Sequence, residues 1–488
     1  MTGSKERRPR LPRHRLIGLV AGPLVAAAVL ASPAPEGLSP QGWWTAGVGL
    51  LMAVWWMTEA LPLAVTALVP LVLFPLLGLR GIEAVTPAYA HPLVFLFLGG
   101  FLLARAMHVW ELDRRLALAV LRLAGTSPRR VIGGLMAVTA FLSLWVSNTA
   151  TAMVMLPIGQ SLIAAFARQD EGRGEGTKGE SVAPPLLLGI AYAATIGGMG
   201  TLVGTPPNAL FAAFMAESYG VEISFVRWLL IGLPLVLVLL PLTWFVLTRV
   251  VFRVPDRGTL ETAGLAAPGP MSLGARLTAG VMLLVAVCWI FRPPLAAALP
   301  WLRLSDAGIA VTGALLLFLL PADIKAGRFL LTWREAAEIR WDVLILFGGG
   351  LALAAAIGQS DLADWIGARL AGLGALPLIL LLLAVGALIV LLGELASNTA
   401  MAAVFLPVAG ATALAMGEPA FVLALPVALF ATLGFMLPVA TPPNAVIFGS
   451  GAIEMRHMLK AGWLLDLLGI FVVALGVLTL GGWVLGPG

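Results

Sequence analysis

Long apolar runs alternate with short polar stretches along the whole chain. Runs long enough to cross a bilayer lie at 16–32, 43–60, 62–79, 92–110, 185–217, 227–248, 273–291, 304–320, 342–360, 420–454 and 461–485. A spanning helix needs about 20 predominantly apolar residues. Two of these runs, 185–217 and 420–454, are interrupted by the tetrapeptide Thr-Pro-Pro-Asn, at 205–208 and 441–444. Two further apolar stretches, 128–167 and 374–416, each hold a Ser-Asn-Thr near the middle. A stretch of that length broken at its centre is either two spans or a re-entrant hairpin. Broken backbone at membrane depth is tolerated only where it is buried in protein or lines a cavity.

The cations between the runs favour hairpins. With the N-terminus inside and both stretches as hairpins, the inner segments collect Arg114, Arg115, Arg122, Arg129 and Arg130. They also collect Arg168, Arg173 and Lys178; Arg249, Arg253 and Arg257; Lys325, Arg328, Arg334 and Arg340; and Arg456 and Lys460. The outer loops keep Arg80 and Arg369, with Arg292 and Arg303 as exceptions. Cytoplasmic loops carry the excess of Lys and Arg, and counting either stretch as two spans spoils the pattern. The expected fold is an all-α polytopic membrane protein: eleven transmembrane helices plus two re-entrant hairpins, N-terminus cytoplasmic and C-terminus outside, in the cell's inner (plasma) membrane.

Composition agrees. Of 488 residues, 60% are hydrophobic and 11% charged, against roughly 25% charged in soluble domains. The mean hydropathy is +0.99. The single cysteine, Cys288, excludes a disulfide scaffold. The four His (14, 91, 108 and 457) are too scattered for a Cys/His metal centre. The calculated pI of 9.9 reflects topology signals, not a nucleic-acid surface. The basic arm before residue 16 holds six Lys/Arg. A cleaved leader is the competing reading, but no small-residue cleavage site precedes 33–41.

The chain repeats itself at an offset of about 250 residues. FLFLGGFLLARAM (95–107) matches LILFGGGLALAAA (344–356), WVSNTATAMVMLPIG (145–159) matches LASNTAMAAVFLPVA (395–409), and TLVGTPPNALFA (201–212) matches LPVATPPNAVIF (437–448). Residues 104–130 contain six Arg, whereas 354–380 contain one Arg and two Asp. Opposite charge bias implies opposite orientation. Inverted repeats with broken helices meeting at the midplane are the pattern of a secondary transporter. The expected organisation is a basic arm (1–15), N-terminal scaffold spans (16–90), a first repeat (91–217), connecting spans (218–339), a second repeat (340–454) and a C-terminal span (455–488).

Ser147-Asn148-Thr149 and Ser397-Asn398-Thr399 each open the second arm of a hairpin. Ser and Asn are favoured N-caps, and the amides of a helix start attract anions. At Thr205-Pro206-Pro207-Asn208 and Thr441-Pro442-Pro443-Asn444, Pro suits the first helical turn and leaves the preceding backbone unwound. The carbonyls of Gly204 and Ala440 are then available to a small cation. Asn208 and Asn444 each offer an oxygen to a cation or an amide to an anion. The alternative is that these polar residues only satisfy broken backbone or join helices.

Segments 131–167 and 185–216 contain no charged residue or His, and 371–455 contains only Glu394, Glu418 and Glu454. A dianion drawn to such helix ends needs a co-bound cation. Neutral oxygen ligands suit an alkali ion better than Ca²⁺ or Zn²⁺. Glu59 is read as bracing a helix junction. Glu394 is read as a structural hydrogen-bond partner, or else as a proton- or sodium-linked carboxylate with no visible pair. His91 and His108 are placed at span ends, Cys288 in the core, and most of the fifteen Trp at the interfaces, among them Trp43, Trp44, Trp301 and Trp341. The glycines at 99–100 and 348–350 are read as close helix packing, since no Lys follows them to form a phosphate loop. No nucleophile–base constellation suggests an enzyme.

Both SNT motifs, both TPPN motifs and the segment MTEALPL (57–63) make the sequence similar to the divalent anion/sodium symporter (DASS) family. That resemblance covers nearly the whole chain after the basic arm. It implies a homodimer with a scaffold and a mobile transport region working by an elevator mechanism. It implies co-transported Na⁺, with one site from Ser143, Ser147, Asn148 and Gly204 and a second from Ser397, Asn398 and Ala440. Substrate carboxylates would meet Asn148, Thr149, Ser397, Asn398, Thr399 and Thr441. Gly393 stands where the family often has a hydroxyl, opposite Ser143 of the first repeat. The short loop 168–184 and the lack of a large soluble insertion point to a C4-dicarboxylate such as succinate, malate or fumarate. Sulfate or citrate symport and sodium-independent exchange are the alternatives. An antiporter or arsenite pump would need membrane-buried acids beside the motifs.

Overall fold

The structure is a computed structural model that describes residues 13–123, 125, 127–173, 182–254 and 269–486. The expected cytoplasmic cations Lys178 and Arg257, and most of the basic arm, lie outside these residues. The described chain is almost entirely helical; one short antiparallel pair, Pro321–Asp323 with Arg328–Phe329, is the exception. Among the described residues, eight helices are long and apolar enough to cross a membrane, and five shorter apolar helices accompany them.

Several boundaries follow from local chemistry. Ser224, Ser272 and Ser305 cap helices starting at Phe225, Leu273 and Asp306, each hydroxyl accepting an amide of the first turn. Thr332 and Glu335 form a reciprocal capping box. Large side chains such as Leu237, Leu283, Leu319 and Trp483 are exposed along the helices. In water such a surface would be an extended apolar patch; against lipid it is the expected finish.

The two repeats show the same sequence of elements. A long helix (Pro92–Val109; Trp341–Gln359) leads to a shorter one (Leu112–Leu123; Leu362–Leu370). Next come two arms joined at the SNT motif (Pro128–Ser143 and Asn148–Arg173; Leu378–Gly393 and Asn398–Ala415). A helix broken at TPPN closes each repeat (Ala183–Gly198 and Pro206–Tyr219; Phe421–Phe430 and Pro442–Gly449). The glycine pairs are helix contacts, as expected: a methyl on Gly99 would overlap the Ala310 backbone, and one on Gly349 would overlap Ala67.

Three expectations change. The run 62–79 is two helices, Leu63–Thr66 and Val69–Leu76, not one. Pro70 interrupts the backbone hydrogen bonding there, and the Ala67 carbonyl turns aside to accept the Tyr89 hydroxyl at 2.5 Å. Trp56, Trp228 and Trp289 are fully buried, so these indoles pack the interior, whereas Trp301 is exposed. Cys288 is half-buried, not a core residue. His91 and His108 sit at opposite ends of one helix, His91 as its N-cap and His108 3.0 Å from Asp113.

Candidate substrate and cation site

A helix break inside apolar surroundings leaves carbonyls that no water can reach. Both breaks meet this need in the same way. Asn208 Nδ2 donates to the carbonyls of Gly198 (3.0 Å) and Thr201 (2.7 Å). Asn444 Nδ2 donates to those of Gly434 and Leu437, both at 3.0 Å. In each copy the asparagine reaches ten and seven residues back. These amide nitrogens are therefore committed to the broken backbone and not offered to an anion. The side-chain oxygens of both residues are buried, with no hydrogen-bond partner among the described residues.

The first tip is dense with oxygen. Ser143, fully buried, ends the first arm and donates its hydroxyl to the Ala194 carbonyl at 2.6 Å. The inner end of the Asn148 amide lies 2.8 Å from Ser143 Oγ, 3.2 Å from the Ala194 carbonyl and 3.3 Å from the Gly204 carbonyl; with its nitrogen turned inward it donates to all three. Close approach depends on Gly198, where a methyl would overlap the Asn148 side chain. Ser147 behaves as the expected cap, its hydroxyl accepting the Ala150 amide at 3.4 Å.

The second tip is sparser. Ser397 occupies the N-cap position, but its hydroxyl makes no capping bond. Asn398 Nδ2 reaches the Thr432 carbonyl at 3.4 Å, and its oxygen is buried without a partner among the described residues. Thr441 Oγ1 accepts the Asn444 amide at 3.4 Å, capping the second half-helix. At Gly393 an added Cβ would meet nothing closer than the Leu433 carbonyl at 4.0 Å, so the missing hydroxyl leaves open space.

These pieces face one cavity of about 410 Å³. Ser147, Asn148, Thr149 and Gly204 line it from the first repeat; Ser397, Asn398, Thr399, Ala440 and Thr441 line it from the second. Ser143 is behind the wall, in contact with Asn148. Every other residue that the family resemblance assigns to a sodium or substrate site is on the wall; Asn208 and Asn444 are not.

The structure adds residues that sequence reading missed. Arg340, Asp342 and Glu59 also line the cavity. The motifs are thus not out of reach of a basic side chain, as sequence spacing suggested. Glu59 is the left-handed C-cap of Pro40–Thr58 and pairs with Arg15 at 2.8 Å, which fits its reading as a brace. Glu394, buried, accepts the amides of Met436 (2.9 Å) and Leu437 (2.7 Å), the structural role foreseen. It is not alone: Asp466, also buried, lies beside it and accepts the neighbouring Phe435 amide at 3.2 Å. The Phe435 carbonyl accepts the Tyr192 hydroxyl at 2.7 Å, joining the first broken helix to the second. No local pattern marks Asp466 or Tyr192.

Comparison with known proteins identifies the family. The family described as "Sodium:sulfate symporter transmembrane region" matches residues 13–486. The chain belongs to this family. It is similar to the sodium-dependent dicarboxylate transporter SdcS of Staphylococcus aureus strain USA300, 39% identical over 483 residues, covering 97% of this chain and 92% of the relative. The same protein from strain NCTC 8325 / PS 47 matches with the same identity and coverage. Among solved structures, the YdaH transporter of Alcanivorax borkumensis superposes with a TM-score of 0.56 at 15% identity, over 97% of this chain and 98% of that one, a likeness of fold. Family membership makes this a membrane transport protein and not an enzyme.

Proposed function

We propose that the protein is a secondary active symporter that couples inward movement of Na⁺ to uptake of a C4-dicarboxylate such as succinate, malate or fumarate. The observation that carries the reading is one cavity walled by both SNT tips and both TPPN breaks, with neutral oxygens converging at Asn148. The first sodium ion would be held by Ser143, Ser147, Asn148 and Gly204, the Asn148 amide turning its oxygen inward, with the Ala194 carbonyl close by. The second would be held by Ser397, Asn398 and Ala440. The carboxylates would be met by Asn148, Thr149, Ser397, Asn398, Thr399 and Thr441. The relatives named as dicarboxylate transporters support this substrate class over sulfate.

The two SNT stretches act as re-entrant hairpins, so that the chain has eleven spans. Its N-terminus is cytoplasmic and its C-terminus outside in the plasma membrane. Residues 16–90 and the spans joining the repeats form the scaffold of a homodimer, against which the hairpins and broken helices move as an elevator. The charge distribution and the inverted repeat support this arrangement.

The test is succinate influx into proteoliposomes. Coupling between cation and anion is reciprocal, so influx should rise with external Na⁺ with a Hill slope above one, vanish when choline replaces Na⁺, and fall with competing malate or fumarate. Full uptake in choline, or inhibition by sulfate and not by dicarboxylates, would overturn it. A third Na⁺ would add one net charge per cycle, worth about 2.3 kcal/mol per 100 mV. A K⁺/valinomycin clamp would read it as faster uptake at inside-negative potential.

A further inference from the structure

Arg340 is the one cationic side chain on the wall of the central cavity among the described residues. It immediately precedes the helix Trp341–Gln359. Its guanidinium is about half exposed and is held in a fixed orientation by Asp342: Nε donates to Oδ1 at 2.8 Å and Nη2 to Oδ2 at 2.7 Å. Nη1 has no hydrogen-bond partner among the described residues. Arg340 also lines a second, adjoining cavity of about 460 Å³, whose wall includes Ser147 and Thr149 of the first tip together with Arg105 and His108. Arg105 in turn is anchored by Glu338 and by the Glu335 carbonyl. Arg340 therefore stands at the boundary between the tips and a compartment bordered by Arg105, His108 and Glu338.

A dianion at the tips is balanced only by partial charges and by its co-bound cations. Once those cations leave, it is a bare double charge in a poor solvent for ions. A fixed guanidinium with unused donors offers the bidentate match a carboxylate needs. Pairing with Asp342 keeps that guanidinium oriented and partly neutralised, so it attracts without trapping. We propose that Arg340 is a specificity-determining contact for the departing dicarboxylate on the arginine-rich face, exchanging part of its pairing with Asp342 for a substrate carboxylate. This rests on the symport reading above and adds a residue outside the repeat motifs, acting on one side of the membrane only.

A purely structural ion pair makes a different forecast. If the pair merely braces the helix start, Arg340→Gln and Asp342→Asn remove the same bridge and should do the same damage. If Arg340 handles substrate, the two should act in opposite directions. The experiment compares Na⁺-dependent exchange of labelled succinate at matched protein levels, in intact cells for the outer face and in inside-out vesicles for the inner face. Arg340→Gln should raise the inner-face KM about tenfold, the value of one good charge-assisted contact, and leave the outer-face KM within about twofold. Asp342→Asn should lower the inner-face KM, and Arg340→Lys should recover part of the loss. Equal KM shifts on both faces, or shifts of the same sign in Arg340→Gln and Asp342→Asn, would overturn the proposal. Failure of wild-type protein to move succinate with Na⁺ would instead strike the symport reading beneath it.

Discussion

The two SNT tips share a tripeptide but not a surrounding. At the first, Ser143, Ala194 and Gly204 close oxygens around the Asn148 amide. Trp145, two residues before Ser147, stacks over Trp289 with the ring planes 4° apart. At the second, Gly393 leaves a gap, the Asn398 oxygen has no partner among the described residues, and Leu395, the counterpart of Trp145, is 72% exposed. The first tip packs its oxygens closely, while the second leaves open space and an unpartnered oxygen among the described residues. A duplicated motif preserves the residues that break a helix. The packing around each copy is free to diverge, because the two copies meet different neighbours.

The most severe way to probe this contrast is to remove each asparagine. Asn148→Ala and Asn398→Ala should both abolish uptake, since the proposed cation ligand and anion donor vanish together. Each buried partner left unpaired costs about 1–3 kcal/mol, so a loss of about a hundredfold or more is expected. Asn148→Ala should also lower thermal stability in detergent without sodium, because its amide already holds three oxygens; Asn398→Ala should not. Near-normal uptake by either variant would detach the motifs from transport.

Next in size is the contrast between Gly198 and Gly434. A methyl at Gly198 overlaps the Asn148 side chain, whereas at Gly434 it approaches the Ala440 Cβ at 3.2 Å and needs only a small adjustment. Gly198→Ala should raise the sodium concentration for half-maximal uptake about five- to a hundredfold, an overpacking cost of about 1–3 kcal/mol. Gly434→Ala should shift it far less. Equal shifts would mean that the first tip is no tighter than the second.

A gain is expected at Gly393. The open space there accommodates a serine hydroxyl, mirroring Ser143. Gly393→Ser should lower the half-saturating sodium concentration by about three- to tenfold, on the order of one added hydrogen-bond-strength ligand. Ser143→Gly should weaken the first site in return. An unchanged sodium curve in Gly393→Ser would show that the second site does not extend to this arm.

The mildest comparison reads accessibility alone. In a Cys288→Ser background, Ser397→Cys, on the cavity wall, should react readily with a small thiol reagent and Trp145→Cys slowly. Similar rates would erase the distinction between a packed and an open tip.

What the sequence revealed of this site follows from how locally a helix break is encoded. Pro206 and Pro442 end hydrogen bonding where they stand, and Ser147 and Ser397 start a helix where they stand. Both breaks and both tips could therefore be placed from adjacent letters. Asp466 and Tyr192 reach their partners only through tertiary packing, from apolar stretches with no polar motif around them, and Arg340, though paired locally with Asp342, meets the motifs only through the fold. The split of 62–79 is partly local, at Pro70, and partly tertiary, where the Ala67 carbonyl accepts the Tyr89 hydroxyl from a distant segment. Asn208 and Asn444 were visible as polar residues in the breaks, but their use was not. Sequence shows an amide in a break; only the fold shows that the break itself consumes it.

The bonding at the two breaks has a mechanical consequence. The Gly198 and Thr201 carbonyls are tied by Asn208, that of Met199 by the Trp228 indole at 2.9 Å, those of Gly434 and Leu437 by Asn444, and that of Phe435 by Tyr192. Unwound segments of this kind are usually imagined as the soft points of a transporter. Here they are stiff joints, cross-braced in a medium that supplies no water to replace a lost bond. Compliance is found just beyond them, where each second half-helix ends. Gly220 (φ 66°) and Gly451 (φ 72°) turn the chain in the left-handed region with no neighbour within 4 Å of an added side chain. The freedom of each second half-helix to turn is thus set beyond the braced break, at these two glycines.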